Sequence, residues 1–208
     1  TDTITGGAGA DILSGGAGTN YLDGRNGINT VDYSRANNNV TVDLSKTGIQ
    51  EVYLDGSTTV KDTLKDIQNV IGSNNKDIIA GNSQSNSLFG GLGDDTLVGS
   101  AGNDTLNGGD GIDVASYANA TDDLNIDLGS TSVYINATYG TDTFISIEGA
   151  IGGSGNDTIK GTSGSNVLIG GAGDDTLLPN GNNGIDELDY IDGGTGTDFV
   201  SFNFGDAT

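Results

Sequence analysis

The sequence predicts an all-β fold of one particular kind, a parallel β-roll or β-helix solenoid in which short strands stack coil upon coil. Three observations carry this. A nine-residue unit recurs in strict phase over much of the 208 residues. Only 33% of the chain is hydrophobic while Gly supplies 37 residues, too lean a composition for a compact core and suited to a thin stacked one. At larger scale, SNSLFGGLGDDTL from Ser85 returns as SNVLIGGAGDDTL from Ser165, eighty residues on, so the units belong to a longer super-repeat.

The unit is clearest between Gly90 and Ser116, which reads GGLGDDTLV, GSAGNDTLN and GGDGIDVAS. Each begins with Gly, has Asp95, Asp104 or Asp113 sixth, and Leu97, Leu106 or Ala115 eighth. The first six positions are too Gly-rich for a helix and fit a turn with positive φ. The last three make a minimal strand with the eighth residue inward and its neighbours outward. Two units then make a coil of about eighteen residues, and coils should rise by about 4.8 Å.

In chain order, residues 1–32 form a first cluster with sixth positions Asp2, Asp11, Asn20 and Asn29 and eighth positions Ile4, Leu13, Leu22 and Val31. A spacer follows at 33–71. Val40, Val42 and Leu44 alternate with polar residues as a half-buried strand, and Val52, Tyr53 and Leu54 suggest another. Leu64, Ile67 and Val70 fit one helical turn or an irregular solenoid coil, and the coil is expected because the repeats resume at once. The second cluster, 72–116, has sixth positions Asp77, Asn86, Asp95, Asp104 and Asp113. The spacer at 117–151 repeats the first, with Leu124, Ile126 and Leu128 alternating and Phe144 and Ile147 matching Leu64 and Ile67. The third cluster, 152–208, has Asp157, Asn166 and Asp175 sixth, a loop insertion at 179–192, and Asp198 once phase returns. Across the insertion, Asn166 takes Asp189 as its partner. All five segments are expected to form one continuous solenoid.

The net charge is −22, and of the acidic residues only Glu51, Glu148 and Glu187 are not Asp. Short Asp side chains suit tight loops in which a carboxylate folds back on the backbone. So much negative charge opposes compaction unless cations neutralise it, and no basic patch exists to meet nucleic acid. The chain contains no Cys or His, which excludes thiolate and imidazole metal sites. No long apolar run is present, so membrane insertion by this segment is not expected. Stacked sixth-position carboxylates completed by backbone carbonyls form an all-oxygen cage, which suits Ca²⁺ better than Mg²⁺.

The unit is the pattern GGxGxDxUx, an established signature of calcium-binding β-helical repeats. By these residues the chain resembles the RTX (repeats-in-toxin) family, with its haemolysin-type calcium-binding nonapeptides. The resemblance implies several bound Ca²⁺ ions, held by carbonyls at positions two and four of one loop and one and three of the next. Here these are Gly91 and Gly93 with Asp95, against the carbonyls of Gly108 and Asp110 with Asp113. In the third cluster they are Gly153 and Gly155 with Asp157, against Gly170 and Ala172 with Asp175. Full carboxylate pairs are expected at Asp77/Asp95, Asp95/Asp113 and Asp157/Asp175. Weaker mixed pairs are expected at Asp2/Asn20, Asp11/Asn29 and Asn86/Asp104, because an amide oxygen brings no charge. The resemblance also implies a chain that stays unfolded in calcium-poor cytosol, leaves by a type I secretion channel and folds outside.

Other readings are weaker. GGAGAD near the start lacks the strand–helix context of a dinucleotide fingerprint. Paired carboxylates could serve a glycosidase, but those here are claimed as ligands, no cleft is indicated, and no enzyme activity is expected. The outward third positions (Ala8, Ala17, Asn26, Asn74, Ser83, Leu92 and their successors) form no ice-binding ladder. Tyr33, Tyr117 and Phe202 are read as coil-packing residues, and Asp122 and Asp123 as solvent-facing. Phe89, Val98, Ile169 and Leu178 are apolar at the outward ninth position, where they could be covered by the spacers or by a neighbouring chain. The expected role is an extender segment of a large secreted or cell-surface, adhesin-like protein. The alternative is the export and stability module of a secreted enzyme of epimerase or protease type.

Overall fold

The computed structural model describes residues 1–46, 50–54, 61–179 and 189–202. Every regular element among them is a strand. The first cluster supplies β1 (Thr3–Thr5), β2 (Ile12–Leu13), β3 (Tyr21–Asp23) and β4 (Thr30–Asp32). The first spacer supplies β5 (Val40–Asp43), β6 (Gln50–Leu54), β7 (Lys61–Lys65) and β8 (Asn69–Ile71). The second cluster gives β9 (Ile78–Ala80), β10 (Ser87–Leu92), β11 (Thr96–Val98), β12 (Thr105–Asp110) and β13 (Val114–Ser116). The second spacer gives β14 (Asn125–Asp127), β15 (Ser132–Asn136), β16 (Gly140–Ile145) and β17 (Gly149–Ile151). The third cluster gives β18 (Thr158–Lys160), β19 (Val167–Ala172), β20 (Thr176–Leu178), β21 (Tyr190–Thr195) and β22 (Phe199–Val200).

The strands alternate between two sides of a parallel roll. Leu97 lies level with Ile79 and Leu106 with Leu88, each eighteen residues apart, so one coil is two units. Side one is an eleven-stranded sheet in the order β1-β3-β7-β6-β5-β9-β11-β13-β17-β19-β21. Side two runs β2-β4-β8-β10-β12-β16-β15, then β14-β18-β20-β22, with β14 packed beside β15. The eighth-position residues Leu22, Leu88, Leu97, Leu106, Ile159, Leu168 and Leu177 are fully buried and form the ladder between the sides. Each such side chain contributes on the order of 2 kcal/mol of hydrophobic stabilisation.

The spacers run within the sheets. In each, three consecutive strands occupy one side where a single parallel strand would otherwise stack, as an antiparallel meander in the first and as an antiparallel pair beside β14 in the second. In the first, β5 pairs β6 and β6 pairs β7, while the outer strands join β9 and β3 in parallel. In the second, β15 pairs antiparallel with β16, which joins β12, and β14 joins β18. The first set of three sits on side one and the second on side two, because the chain crosses between sides after each strand from β7 to β13, an odd number of times.

Leu64, Ile67 and Val70 are all buried on a strand–turn–strand path, with Asp66 at φ 54° in the turn. No helical turn forms there. Within the insertion at 179–192, residues 180–188 lie outside the described residues, and Tyr190 stands level with Val167. Phe89 is exposed while Val98, Ile169 and Leu178 are half-buried. Among the described residues the spacer strands lie within the sheets, and Val98 lines one pocket with Tyr117, Asn119, Thr138 and Tyr139 of the second spacer. Phe202 is 53% exposed, so among the described residues it is not the packing residue that Tyr33 and Tyr117 are.

Candidate metal centre

The sixth-position residues form two columns, one at the start of the strands of each side. In each column the backbone N–H of one member donates to a side-chain oxygen of the member one coil further on. On side one the links are Asp2 to Asn20 (3.0 Å), Asn20 to Asp62 (2.8 Å), Asp77 to Asp95 (2.7 Å), Asp95 to Asp113 (2.8 Å), Asp113 to Glu148 (3.0 Å) and Asn166 to Asp189 (2.9 Å). On side two they are Asp11 to Asn29 (3.1 Å), Asn29 to Gln68 (2.8 Å), Asn86 to Asp104 (2.8 Å), Asp104 to Asp142 (2.9 Å), Asp157 to Asp175 (2.8 Å) and Asp175 to Asp198 (3.1 Å). Val40 and Leu124 donate to Asp77 and Asp157 in the same way and begin new runs with apolar residues.

All fourteen sixth-position residues expected from sequence therefore fall into these two columns, and the expected pairs are neighbours. Four members were not anticipated: Asp62, Asp142, Gln68 and Glu148, all from the spacers. For the first two a signal existed. Asp62-Thr63-Leu64 and Asp142-Thr143-Phe144 spell positions six to eight as in Asp95-Thr96-Leu97, without the preceding glycines.

Apart from Asp2 and Asp11, which head the columns, each Asp of a column thus spends one carboxylate oxygen on a backbone N–H. The other oxygen is held by the second residue of the same loop in Asp77 and Asp157, and Gly7 N donates to Asp11 Oδ2 in the same way. In Asp95, Asp104, Asp113 and Asp175 the Oδ2 atom is buried without any hydrogen-bond partner among the described residues. An ionised oxygen in that position costs several kcal/mol unless a cation meets it. Burial accordingly pushes the Asp95 and Asp104 carboxyls up to about 7 and Asp113 up to about 6, against the pull of the column N–H groups. Asp77, Asp157 and Asp175 are raised for the same reason.

The loops bring carbonyls to these oxygens. A Cβ added to Gly90 would overlap both Asp95 Oδ2 and the Gly108 carbonyl, and one added to Gly152 would overlap Asp157 Oδ2 and the Gly170 carbonyl. At Gly6 the same point lies 2.8 Å from Asp11 Oδ2 and 2.8 Å from the Gly24 carbonyl. Carboxylate of one loop and first-position carbonyl of the next therefore converge on a cradle that only Gly leaves open. Gly91 and Gly93 hold φ values of 125° and 113°, which turn the loop backbone around this space. The Asp110 carbonyl also accepts from Gly93 N (2.9 Å), and Ala172 N donates to the Gly153 carbonyl (2.9 Å), tying consecutive loops together. Gly155 approaches the backbone of Asp122 and Asp123, so the second spacer provides the loop beneath it. Asp123 accepts from Asn156 N (2.7 Å) and Asp122 from Thr138, so both link loops while exposed.

Among the described residues no three His, Cys, Asp or Glu side chains gather as a metal cluster. The groups that converge are instead a carboxylate oxygen and a backbone carbonyl, all oxygen, which fits a hard cation of flexible coordination such as Ca²⁺. Where the spacers meet the columns, tyrosine intervenes. Tyr117 donates its hydroxyl to Asp142 Oδ2 at 2.5 Å, and Tyr33 donates to Asp62 Oδ2 at 3.3 Å. Both phenols are buried, which pushes their ionisation well above 10 and keeps them as donors.

The family model of the RTX calcium-binding nonapeptide repeat, four copies long, matches residues 1–31, 71–106, 80–115, 151–188 and 188–208. These segments correspond to the three clusters and leave out most of both spacers. No curated protein matches the chain.

Proposed function

The chain belongs to the RTX calcium-binding nonapeptide repeat family, and from that premise we propose that this calcium-binding β-roll folds when calcium fills its columns. The observation that supports this most is the set of buried carboxylate oxygens without partners at Asp95, Asp104, Asp113 and Asp175. In a chain of net charge −22, metal-binding energy becomes folding energy. Without calcium the chain is largely disordered, and millimolar calcium orders it. Circular dichroism tests this: a β signal that is the same in excess chelator and in calcium would overturn it.

The module acts as a binding and structural element without catalysis. It is an extender segment of a secreted or cell-surface, adhesin-like protein, ordered only where calcium is plentiful. The repetition of cluster and spacer supports this, since an array lengthens by copying such blocks. No helix among the described residues is long and apolar enough to cross a membrane. The gene surrounding this segment decides the role: many further copies support an extender, and a catalytic domain beside a single copy would overturn it in favour of an enzyme accessory module.

A further inference from the structure

We propose that Asp113, Glu148 and the Ser146 carbonyl hold one further divalent cation, at the junction where the second cluster meets the end of the second spacer. The nonapeptide loop is missing on one side of this site. The chain passes from β16 to β17 by a tight turn, with Ser146 at φ 48° and Ile147 buried. The turn nevertheless delivers the two groups that a regular loop would. The Ser146 carbonyl takes the place against Gly108 that the Gly108 carbonyl takes against Gly90. Glu148 takes the column place that a sixth-position residue of a regular unit would fill, and accepts from Asp113 N at 3.0 Å.

Asp113 is 0% exposed, and its Oδ2 atom has no hydrogen-bond partner among the described residues. That atom and the Ser146 carbonyl both press on the point where a Gly108 Cβ would sit. A buried carboxylate oxygen and a backbone carbonyl converge here, and among the described residues no donor is placed between them. Neither Asp113 nor Glu148 forms an ion pair among the described residues.

The chain contains a second version of this junction, closed without metal. At the end of the first spacer the turn is again tight, with Asp66 at φ 54°, and the corresponding pair is Asn29 and Gln68. Asn29 N donates to Gln68 Oε1 at 2.8 Å, and Asn29 Nδ2 donates to the Asp66 carbonyl at 3.1 Å. An amide hydrogen thus spans the gap that stands open between Asp113 Oδ2 and Ser146. Both amides are carboxylates in the second junction, so hydrogen and neutrality are lost together. A cation replaces both, and an all-oxygen set of two carboxylates and a carbonyl selects a hard one, Ca²⁺ above all.

This inference rests on reading the columns as calcium sites. Native mass spectrometry at saturating calcium counts the ions on the folded chain. Glu148→Gln is expected to carry one ion fewer than the parent. The reverse exchange, Asn29→Asp with Gln68→Glu, is expected to carry one ion more, and it decides the matter should Glu148→Gln fail to fold. Ion counts equal to the parent's in the exchange variant, and in Glu148→Gln where it folds, would overturn this site while leaving the regular columns intact. A parent chain that binds no calcium would overturn the columns themselves.

Discussion

Replacing Tyr117 by Phe isolates one atom of the column. The ring keeps its edge-on packing against Tyr139, at a centroid distance of 5.5 Å, and only the hydroxyl is lost. Among the described residues that hydroxyl is the one partner of Asp142 Oδ2, on a residue 0% exposed. Leaving a buried acceptor of this kind unpaired costs about 1–3 kcal/mol. The equivalent change, Tyr33→Phe, should cost less than about 1 kcal/mol. The Tyr33 bond is longer, at 3.3 Å, and Asp62 also accepts from Asn20 N and Nδ2. Denaturant unfolding at saturating calcium reads both. The sign of the pH dependence is fixed as well. Burial pushes the Asp142 carboxyl up to about 6, although the phenol and the Asp104 amide pull it down, and the unfolded group titrates near 3.9. A folded value above the unfolded one favours the fold when protonated, so the cost of Tyr117→Phe shrinks as pH falls through about 6. Equal costs below about 0.5 kcal/mol for both variants would refute the assignment of these phenols to the columns.

Without calcium the raised carboxyls make acid a partial substitute for metal. Asp95 and Asp104 sit at about 7 and Asp113 at about 6, so their protonation stabilises the metal-free roll fully below the unfolded value and the gain is lost as pH rises through 7. Circular dichroism in chelator should therefore show β signal growing from about pH 8 to about pH 4.5; a flat profile contradicts this. Asp95 contributes to two expected sites, so Asp95→Asn should weaken calcium binding by about ten-fold at both, whereas Asn20→Asp should strengthen one, as calorimetric titration can show. Gly109→Ala places a Cβ against the Gly91 backbone at φ 104° and should cost more than about 2 kcal/mol in thermal unfolding. Gly164→Ala meets only Thr162 Oγ1 at 3.7 Å and should be close to neutral.

The regular clusters were legible because a single period fixes both the core and the ligand columns. Where Leu97 faces inward, Asp95 must head its strand, and no tertiary information is needed. The spacers broke that logic in three ways. Asp62 and Asp142 kept the Asp-Thr-apolar triplet but lost the glycines, so counting from glycine passed over them. Gln68 and Glu148 follow turns shortened around the buried Ile67 and Ile147, and nothing local marks them as column residues. The strand at Val40, Val42 and Leu44 was visible as alternation, yet its partner was not: Val42 lies level with Ile79, thirty-seven residues on, because β6 and β7 intervene. Tyr33 and Tyr117 pack in the core as their sequence position implies, and their hydroxyls matter because each reaches a carboxylate, Asp62 or Asp142, that lies outside the glycine-led period.

The alternation of these three-strand sets between sides follows from parity and governs the shape of any longer array. Each set adds two strands to one side, about 10 Å at the usual strand spacing. Placed always on the same side, such wedges would curl the roll. The chain changes side at every strand of the regular units, so the number of units between spacers decides where the next wedge falls. The five units of the second cluster, with the crossings at its two ends, send the second set to side two. Side two then counts seven and four strands against the eleven of side one, and the wedges cancel across two super-repeats. An odd count of units is therefore a condition for a straight module of this design. It is also a constraint that acts on whole clusters and is invisible in any single nonapeptide.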